Sequence, residues 1–335
     1  MDPVRLPGPE FAAVLDAGEA FERIVGLESG AVLVDGDDIP DVLPTRGGLG
    51  DAHDRSAMVP AVVVGVVSAP GSRRPDWADV VVAPGSAELA ATLATVAANP
   101  LASVTLAALL RGADQRTVAE GLVAESMAYG LLQAGPEFAS WRRRVPVRDR
   151  PGGSGPPVLV TREGHELTVT LNRPHVLNAF SAPMRDELVA ALQVAVVDPS
   201  VTSVVVRGAG ASFCSGGDLD EFGTRSDPAT AHLVRLQRSA GRVLAEVADR
   251  TTAHIHGATV GSGIELAAFA HRVAADRSTR ISLPEVHLGL VPGAGGTVSL
   301  PRRIGRHATM LLALGPPWID AETALAWGLV DELEG

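Results

Sequence analysis

A chain of 335 residues has room for one large α/β domain or two smaller ones, and 46% hydrophobic against 20% charged residues excludes a disordered or collagen-like chain. The formal net charge of -11, from 28 basic and 39 acidic residues, leaves no broad electrostatic footprint for nucleic acid or an anionic membrane surface. Every basic residue among the Lys and Arg is arginine, which excludes a lysine-bearing phosphate loop, a Schiff-base lysine, a pyridoxal phosphate enzyme and a protein kinase together. Cys214, the only cysteine, excludes an internal disulfide or a thiolate cluster and suits a reducing compartment. The acidic start MDPVRLPGPEF lacks the regions of a signal peptide, and no apolar run reaches membrane-spanning length, so the expectation is a soluble cytoplasmic protein.

Taken in chain order, GAVLVDG from Gly30, AVVVGVVS from Ala61 and ADVVVAP from Ala78 read as strands. A helix follows, with Leu89, Leu93, Val96 and Ala97 as one stripe that stops at Asn99 and Pro100. The next runs from Leu101 to Arg111, and a third opens on the capping-box pair Thr117 and Glu120 and ends before Gly135 and Pro136. No catalytic constellation is visible in this half. Arg148 to Pro157, RDRPGGSGPP, reads as a linker that divides residues 1–147 from 158–335.

Beyond the linker, VLVTREGHELTVTLNRP alternates in twos around Glu163 and Gly164, the pattern of a hairpin. Ser181 and Pro183 then open a helix with Met184, Leu188, Ala191, Leu192 and Ala195 on one face, and SVVVRG from Ser203 reads as a buried strand. A long amphipathic stretch covers Ala229 to Val247. From Ala253 an apolar strand runs into glycines at 257, 261 and 263 and then a helical pattern near Ile264, an order that returns from Ile281. This is the pattern of an α/β protein with parallel strands.

Two glycine-rich turns, Ser215-Gly216-Gly217 and Gly261-Ser262-Gly263, stand where strands feed helices, so their backbone amides are available to stabilise negative charge. The glycines also satisfy the simpler requirement of tight turning. Glu265 lies just after the second turn in apolar surroundings, and Glu285 about twenty residues later at the start of a loop. Each alone is accounted for as a helix-dipole partner or a loop carboxylate. Together with two amide turns they match what adding water across a conjugated thioester requires: donors for an enolate oxygen, and carboxyl groups that position water and move protons. Two neighbouring carboxylates also push at least one pKa upward, leaving one as acid and one as base.

Five segments, LNRPHVLNAF from Leu171, SFCSGGDLDEF from Ser212, HGATVGSGIELA from His256, ISLPEVHLGLVPGAGGT from Ile281 and ETALAWGLVDEL from Glu322, resemble the crotonase superfamily, the enoyl-CoA hydratase/isomerase family, from about Pro157 onward. The resemblance implies a crotonase-like α/β spiral of ββα turns and an acyl-CoA thioester substrate. It carries the oxyanion amides to Gly217 and Ser262, the latter where hydratases usually have glycine, and the two hydratase glutamates to Glu265 and Glu285. It places the CoA and acyl group along His175, Val176, Leu177, Ala179, Ser215, Gly216, Asp218, Leu219, Gly261, Pro284 and Gly293. Metal and redox cofactors are not implied, since CoA enters with the substrate; a homotrimer or a dimer of trimers is.

The family's terminal helices, which close the acyl pocket, are not found after GLVDEL. DVVVAPGSAELAATLATVAANPLASVTLAALLR from Asp79 and EGLVAESMAYGLLQAGPEFASWRRRVP from Glu120 resemble them instead, which predicts a rearranged or fused crotonase with a degenerate N-terminal copy. The expected reaction is hydration of a 2-enoyl-CoA or its reverse. The alternatives are isomerisation, thioester hydrolysis or carbon-carbon cleavage on the same fold, or a non-catalytic acyl-CoA-binding partner. His254 and His256, which share a strand face, lack further ligands; Cys214, His287, Tyr129, Trp141, Phe222 and Met310 read as packing residues before site residues.

Overall fold

A computed structural model describes residues 3–16, 30–43, 59–73, 75–148, 153, 155–224 and 227–335. The linker residues 149–152 and 154 lie outside the described residues. The two-residue alternation after the linker becomes a hairpin: Val158–Glu163 pairs antiparallel with Glu166–Leu171, and Leu167, Val169 and Leu171 turn to the core while their neighbours do not. From that hairpin the sheet grows by parallel addition, in the order Glu332–Glu334, Arg272–Asp276, Thr251–Ile255, Ser203–Gly208, Glu166–Leu171, Val158–Glu163. A second sheet runs Ile319–Asp320, Arg280–Ser282, Ala258–Val260.

The ββα repeat is explicit. Thr251–Ile255, Ala258–Val260 and helix Ser262–Ala267 form one unit, and Arg272–Asp276, Arg280–Ser282 and helix Gly296–Leu314 the next. In both, the first strand enters the six-stranded sheet and the second the three-stranded one, so both helices start from the same end of the strands. The amphipathic stretch over Ala229 to Val247 forms two helices, Pro228–Gln237 and Ala240–Glu246, the Ser239 hydroxyl accepting the Arg242 amide at 3.2 Å and starting the second.

In the N-terminal half Val4–Pro7, Ala31–Asp35, Val62–Val66 and Val80–Val82 form a four-stranded parallel sheet in chain order. Its valine-rich strands are buried on both faces, as parallel sheets require. Val62, Val64 and Val66 face a core shared with the C-terminal half, while Val63, Val32 and Val34 face a smaller cluster around Phe11 and Trp77. Helices Ala87–Ala98 and Pro100–Arg111 bend by 113° at Asn99, where proline cannot continue the ladder. Val118–Gln133 carries the predicted capping box, with the Thr117 hydroxyl accepting the Glu120 amide at 3.2 Å and the Glu120 carboxylate accepting the Thr117 amide at 2.8 Å. Pro136–Arg144 follows.

An ion pair locks this arrangement. Asp79, at the sheet edge, takes Nε and Nη2 of Arg111 at 2.8 and 2.5 Å and the Val63 amide at 2.8 Å, and both side chains are almost fully buried. Arg306, from the C-terminal helix Gly296–Leu314, stands 3.8 Å from the same carboxylate and donates to the carbonyls of Pro75 and Asp76. Arg111→Met strands that buried carboxylate and is expected to lower unfolding stability by about 3–5 kcal/mol. Arg5→Met, which breaks the exposed pair with Asp35, is expected to cost no more than about 1 kcal/mol. Urea unfolding of the two variants separates them; equal losses would show that the buried Asp79–Arg111 pair holds no more stability than an exposed one.

Candidate active site

Two strands that end side by side build the first part of the site. Cys214 bridges Thr259, and the Val260 amide donates to the Cys214 carbonyl at 2.9 Å, so the turns at Ser215–Gly217 and Gly261–Gly263 abut. Gly261 adopts φ +47, and a Cβ there would lie 2.1 Å from a Glu285 carboxylate oxygen; only glycine lets that carboxyl group approach the turn. Phe180 pairs with Gly217 as a short parallel bridge, donating to the Gly216 carbonyl at 2.8 Å and accepting from the Asp218 amide at 3.0 Å. That pattern turns the Gly217 amide to the opposite edge. Among the described residues neither the Gly217 nor the Ser262 amide meets a protein acceptor, and both residues line a cavity of about 410 Å³.

Three buried carboxylates line the same cavity: Glu265 and Glu285 from the C-terminal half and Glu125 from helix Val118–Gln133. Successive amides at the start of helix Gly296–Leu314 are shared out between two of them. Glu265 accepts from Ala294 at 2.8 Å and Gly296 at 2.9 Å. Glu125 accepts from Gly295 at 2.7 Å and from the Thr297 amide and hydroxyl at 2.8 and 2.7 Å. Charge-assisted bonds at a helix N-terminus stabilise the ionised forms. Burial works against this and raises all three pKa values above the ordinary carboxylate value, Glu125 and Glu285 further through repulsion from Glu265. Glu285 differs in one respect: among the described residues its Oε2 is buried with no protein hydrogen-bond partner, so nothing at that oxygen offsets the burial that favours the protonated form.

Of the residues expected from the sequence, Gly217, Ser262, Glu265, Glu285 and Gly293 come together on the cavity wall, with Gly293 packed so closely on the Tyr129 ring that a Cβ would lie 2.6 Å from it. His175, Val176, Leu177 and Ala179 are instead in a turn beside the cavity, held by Asn178, whose side chain accepts the Arg173 amide and donates to the carbonyls of Ala209 and Ser212. Ser215 donates its amide to Leu177, and Gly216 accepts from Phe180, which ties that turn to the Gly217 amide. Gly261 and Pro284 lie behind the wall, Pro284 preceding the 3₁₀ turn Glu285–Leu288. Asp218, expected along the CoA and acyl group, is instead paired with Arg173 at 2.9 Å and followed by turns; Leu219 packs against the core.

Glu125 brings a buried carboxylate to the cavity from the half in which the sequence shows no catalytic constellation. Its sequence signal is a carboxylate on the same helical face as Gly121, Leu122, Tyr129 and Leu132, all of them buried. Tyr129 and Phe222 line the cavity, whereas Trp141 and Met310 are core. Burial pushes the Cys214 thiol up to about 11, so it is no nucleophile near neutral pH. His254 meets Glu334 at 3.1 Å and His256 the Gly210 carbonyl at 3.0 Å, and the described residues hold no cluster of metal-ligating side chains.

A carboxyl group whose pKa is raised on folding holds its proton in the folded chain over a range where the unfolded chain has released it. Stability contributed in this way is present at low pH and falls as pH rises from the ordinary value of 4.5 into the neutral range. The thermal midpoint of the wild-type protein is therefore expected to drop between about pH 5 and pH 8, and Glu125→Gln, which cannot titrate, is expected to flatten the drop. An unchanged slope in that variant would show that Glu125 is ionised throughout.

Residues 163–334 match the sequence model of the Enoyl-CoA hydratase/isomerase family. Over 176 residues the chain is 34% identical to the 2,3-dehydroadipyl-CoA hydratase of Escherichia coli (strain K12), an alignment covering 52% of this chain and 68% of that protein. It is 36% identical over 167 residues to the peroxisomal bifunctional enzyme of Danio rerio, covering 49% of this chain and only 22% of that protein. The crystal structure of an enoyl-CoA hydratase from Thermoplasma volcanium GSS1 superposes with a TM-score of 0.50 and 31% identity, over 54% of this chain and 72% of that one. The aligned share of this chain is about half in each case, and the crotonase fold accounts for the spiral of ββα units described above. With the amide turns and both glutamates inside the matched segment, this chain belongs to the enoyl-CoA hydratase/isomerase family, the crotonase superfamily.

Proposed function

We propose that the chain hydrates a 2-enoyl-CoA thioester to a 3-hydroxyacyl-CoA, or catalyses the reverse dehydration. The observation that carries this reading is one cavity holding two unengaged amides together with two carboxyl groups in unlike settings, Glu265 bonded to backbone amides and Glu285 with an unpartnered oxygen. With the thioester oxygen on the Gly217 and Ser262 amides, the negative charge that develops on it meets donors already in place. Glu265, the better stabilised carboxylate, orients water and takes its proton as the oxygen adds to the β-carbon. Glu285, whose buried unpartnered oxygen favours the protonated form, delivers its proton to the α-carbon as the enolate collapses. The proton left on Glu265 then returns to Glu285 through solvent, so the net change is one water added across one double bond. CoA is brought by the substrate, and no resident cofactor has a part. Helix Val118–Gln133 supplies the wall over the acyl group, part of the task the sequence assigned to displaced terminal helices. A homo-oligomer working in the cytoplasm belongs to the same reading.

Turnover of a panel of 2-enoyl-CoA thioesters, followed by loss of the conjugated absorbance, tests it. Glu265→Gln and Glu285→Gln are each expected to lower kcat by at least about a hundredfold with KM little changed. The kcat/KM profile is expected to be a bell displaced upward from the carboxylate range, falling in acid as Glu265 gains a proton and in alkali as Glu285 loses its own. Binding without turnover across the panel would sink the hydratase reading in favour of another enolate reaction or a binding role.

A further inference from the structure

A saturated or simple unsaturated acyl chain asks for an apolar pocket. This cavity departs from that on the wall where helix Pro228–Gln237 lies on helix Val118–Gln133, because Arg235 is part of it. The side chain is half-buried, its Cζ lies over the Tyr129 ring at 4.7 Å from the centroid, and burial pulls its pKa below the ordinary value. Nε donates to the Ser126 hydroxyl at 3.0 Å and Nη2 to the Ser126 carbonyl at 3.1 Å, so both named acceptors are neutral oxygens. Among the described residues no carboxylate is within ion-pair distance of it, Glu125 attracting it only from beyond that distance, and Nη1 has no acceptor. The other two arginines on the cavity wall are unlike it: Arg185 is engaged with Asp186 at 2.8 Å, and Arg238 is exposed.

The position decides what that free edge can meet. Tyr129, under the guanidinium, packs on Gly293, next to the amide of Ala294 that holds Glu265. Arg235 is thus one aromatic ring away from the reacting carboxylates, whereas the phosphates of CoA are separated from the thioester by the whole pantetheine arm. We propose that Arg235 determines specificity by binding a carboxylate on the acyl group, so that the substrates are thioesters of CoA with a dicarboxylic acid. The inference rests on the acyl-CoA reading above. A guanidinium whose remaining donors converge on an anion gives a directional, charge-assisted contact that an alkyl terminus cannot replace.

The test is calorimetric binding of saturated dicarboxyl-monoCoA thioesters and alkyl acyl-CoA thioesters of equal chain length, with free CoA as reference, to the wild-type chain, Arg235→Met and Arg235→Lys. Wild type is expected to favour the dicarboxylic series by about tenfold to a hundredfold, Arg235→Met to lose that preference, and Arg235→Lys to keep part of it. Equal wild-type affinities for the two series would overturn the proposal. So would an Arg235→Met variant that weakens free CoA as much as the dicarboxylic thioesters, since the arginine would then be reading phosphate. If Arg235→Met does not fold, the wild-type preference and the Arg235→Lys value decide the matter. Because saturated thioesters cannot be hydrated, a preference in binding without turnover of the enoyl panel would overturn the hydratase reading alone; turnover with equal affinities would overturn this one alone.

Discussion

Carboxyl groups buried without a counter-cation are held in this protein by backbone amides. The strand of chain from Ala294 to Thr297 offers its N–H groups alternately to opposite sides, two to Glu265 and two to Glu125, just where helix Gly296–Leu314 begins and its first amides have no partners of their own. The helix is capped by the two acids, and the acids are solvated by the helix. Neither arrangement is stable alone, because bare N-terminal amides and bare carboxylates both carry a desolvation cost of several kcal/mol.

That contact also joins the two halves of the chain, since Glu125 is supplied from before the linker and its partners from well after it. Around it the halves meet on surfaces that need close approach: Tyr129 on Gly293, Leu122 on Gly295, Phe138 on Gly289. The Asp79, Arg111 and Arg306 cluster is a second seam at the far side of the same helix. One apolar core runs across both, from the inner face of the four-stranded sheet through the helices into the ββα spiral. The segment that carries the family motifs therefore depends on the N-terminal helices for a cavity wall and for one of its three acids.

The geometry separates acids that the sequence makes look alike. Glu265 and Glu285 are both buried, but one is bonded to two amides and the other retains an unpartnered oxygen against a glycine turn. Hydrogen bonding favours the ionised form of the first, and burial with one oxygen unpartnered favours the protonated form of the second. An acid and a base in one apolar cavity thus follow from where the amides point.

The sequence by itself determined what is local. Period-two alternation placed the hairpin around Glu163 and Gly164, the capping residues placed the helix starts at Thr117 and Ser181, and the glycine turns with Glu265 and Glu285 marked one side of the site. These features depend on neighbours a few residues away, so their signals survive in a string of letters. Only the tertiary structure decided that Glu125 joins those two acids, that Arg235 stands on the cavity wall with no carboxylate of the described residues at ion-pair distance, and that Asp218 is engaged by Arg173. Each of these rests on a contact across tens to hundreds of residues, and a side chain's charge state is set by the groups that packing brings to it, not by its neighbours in the chain.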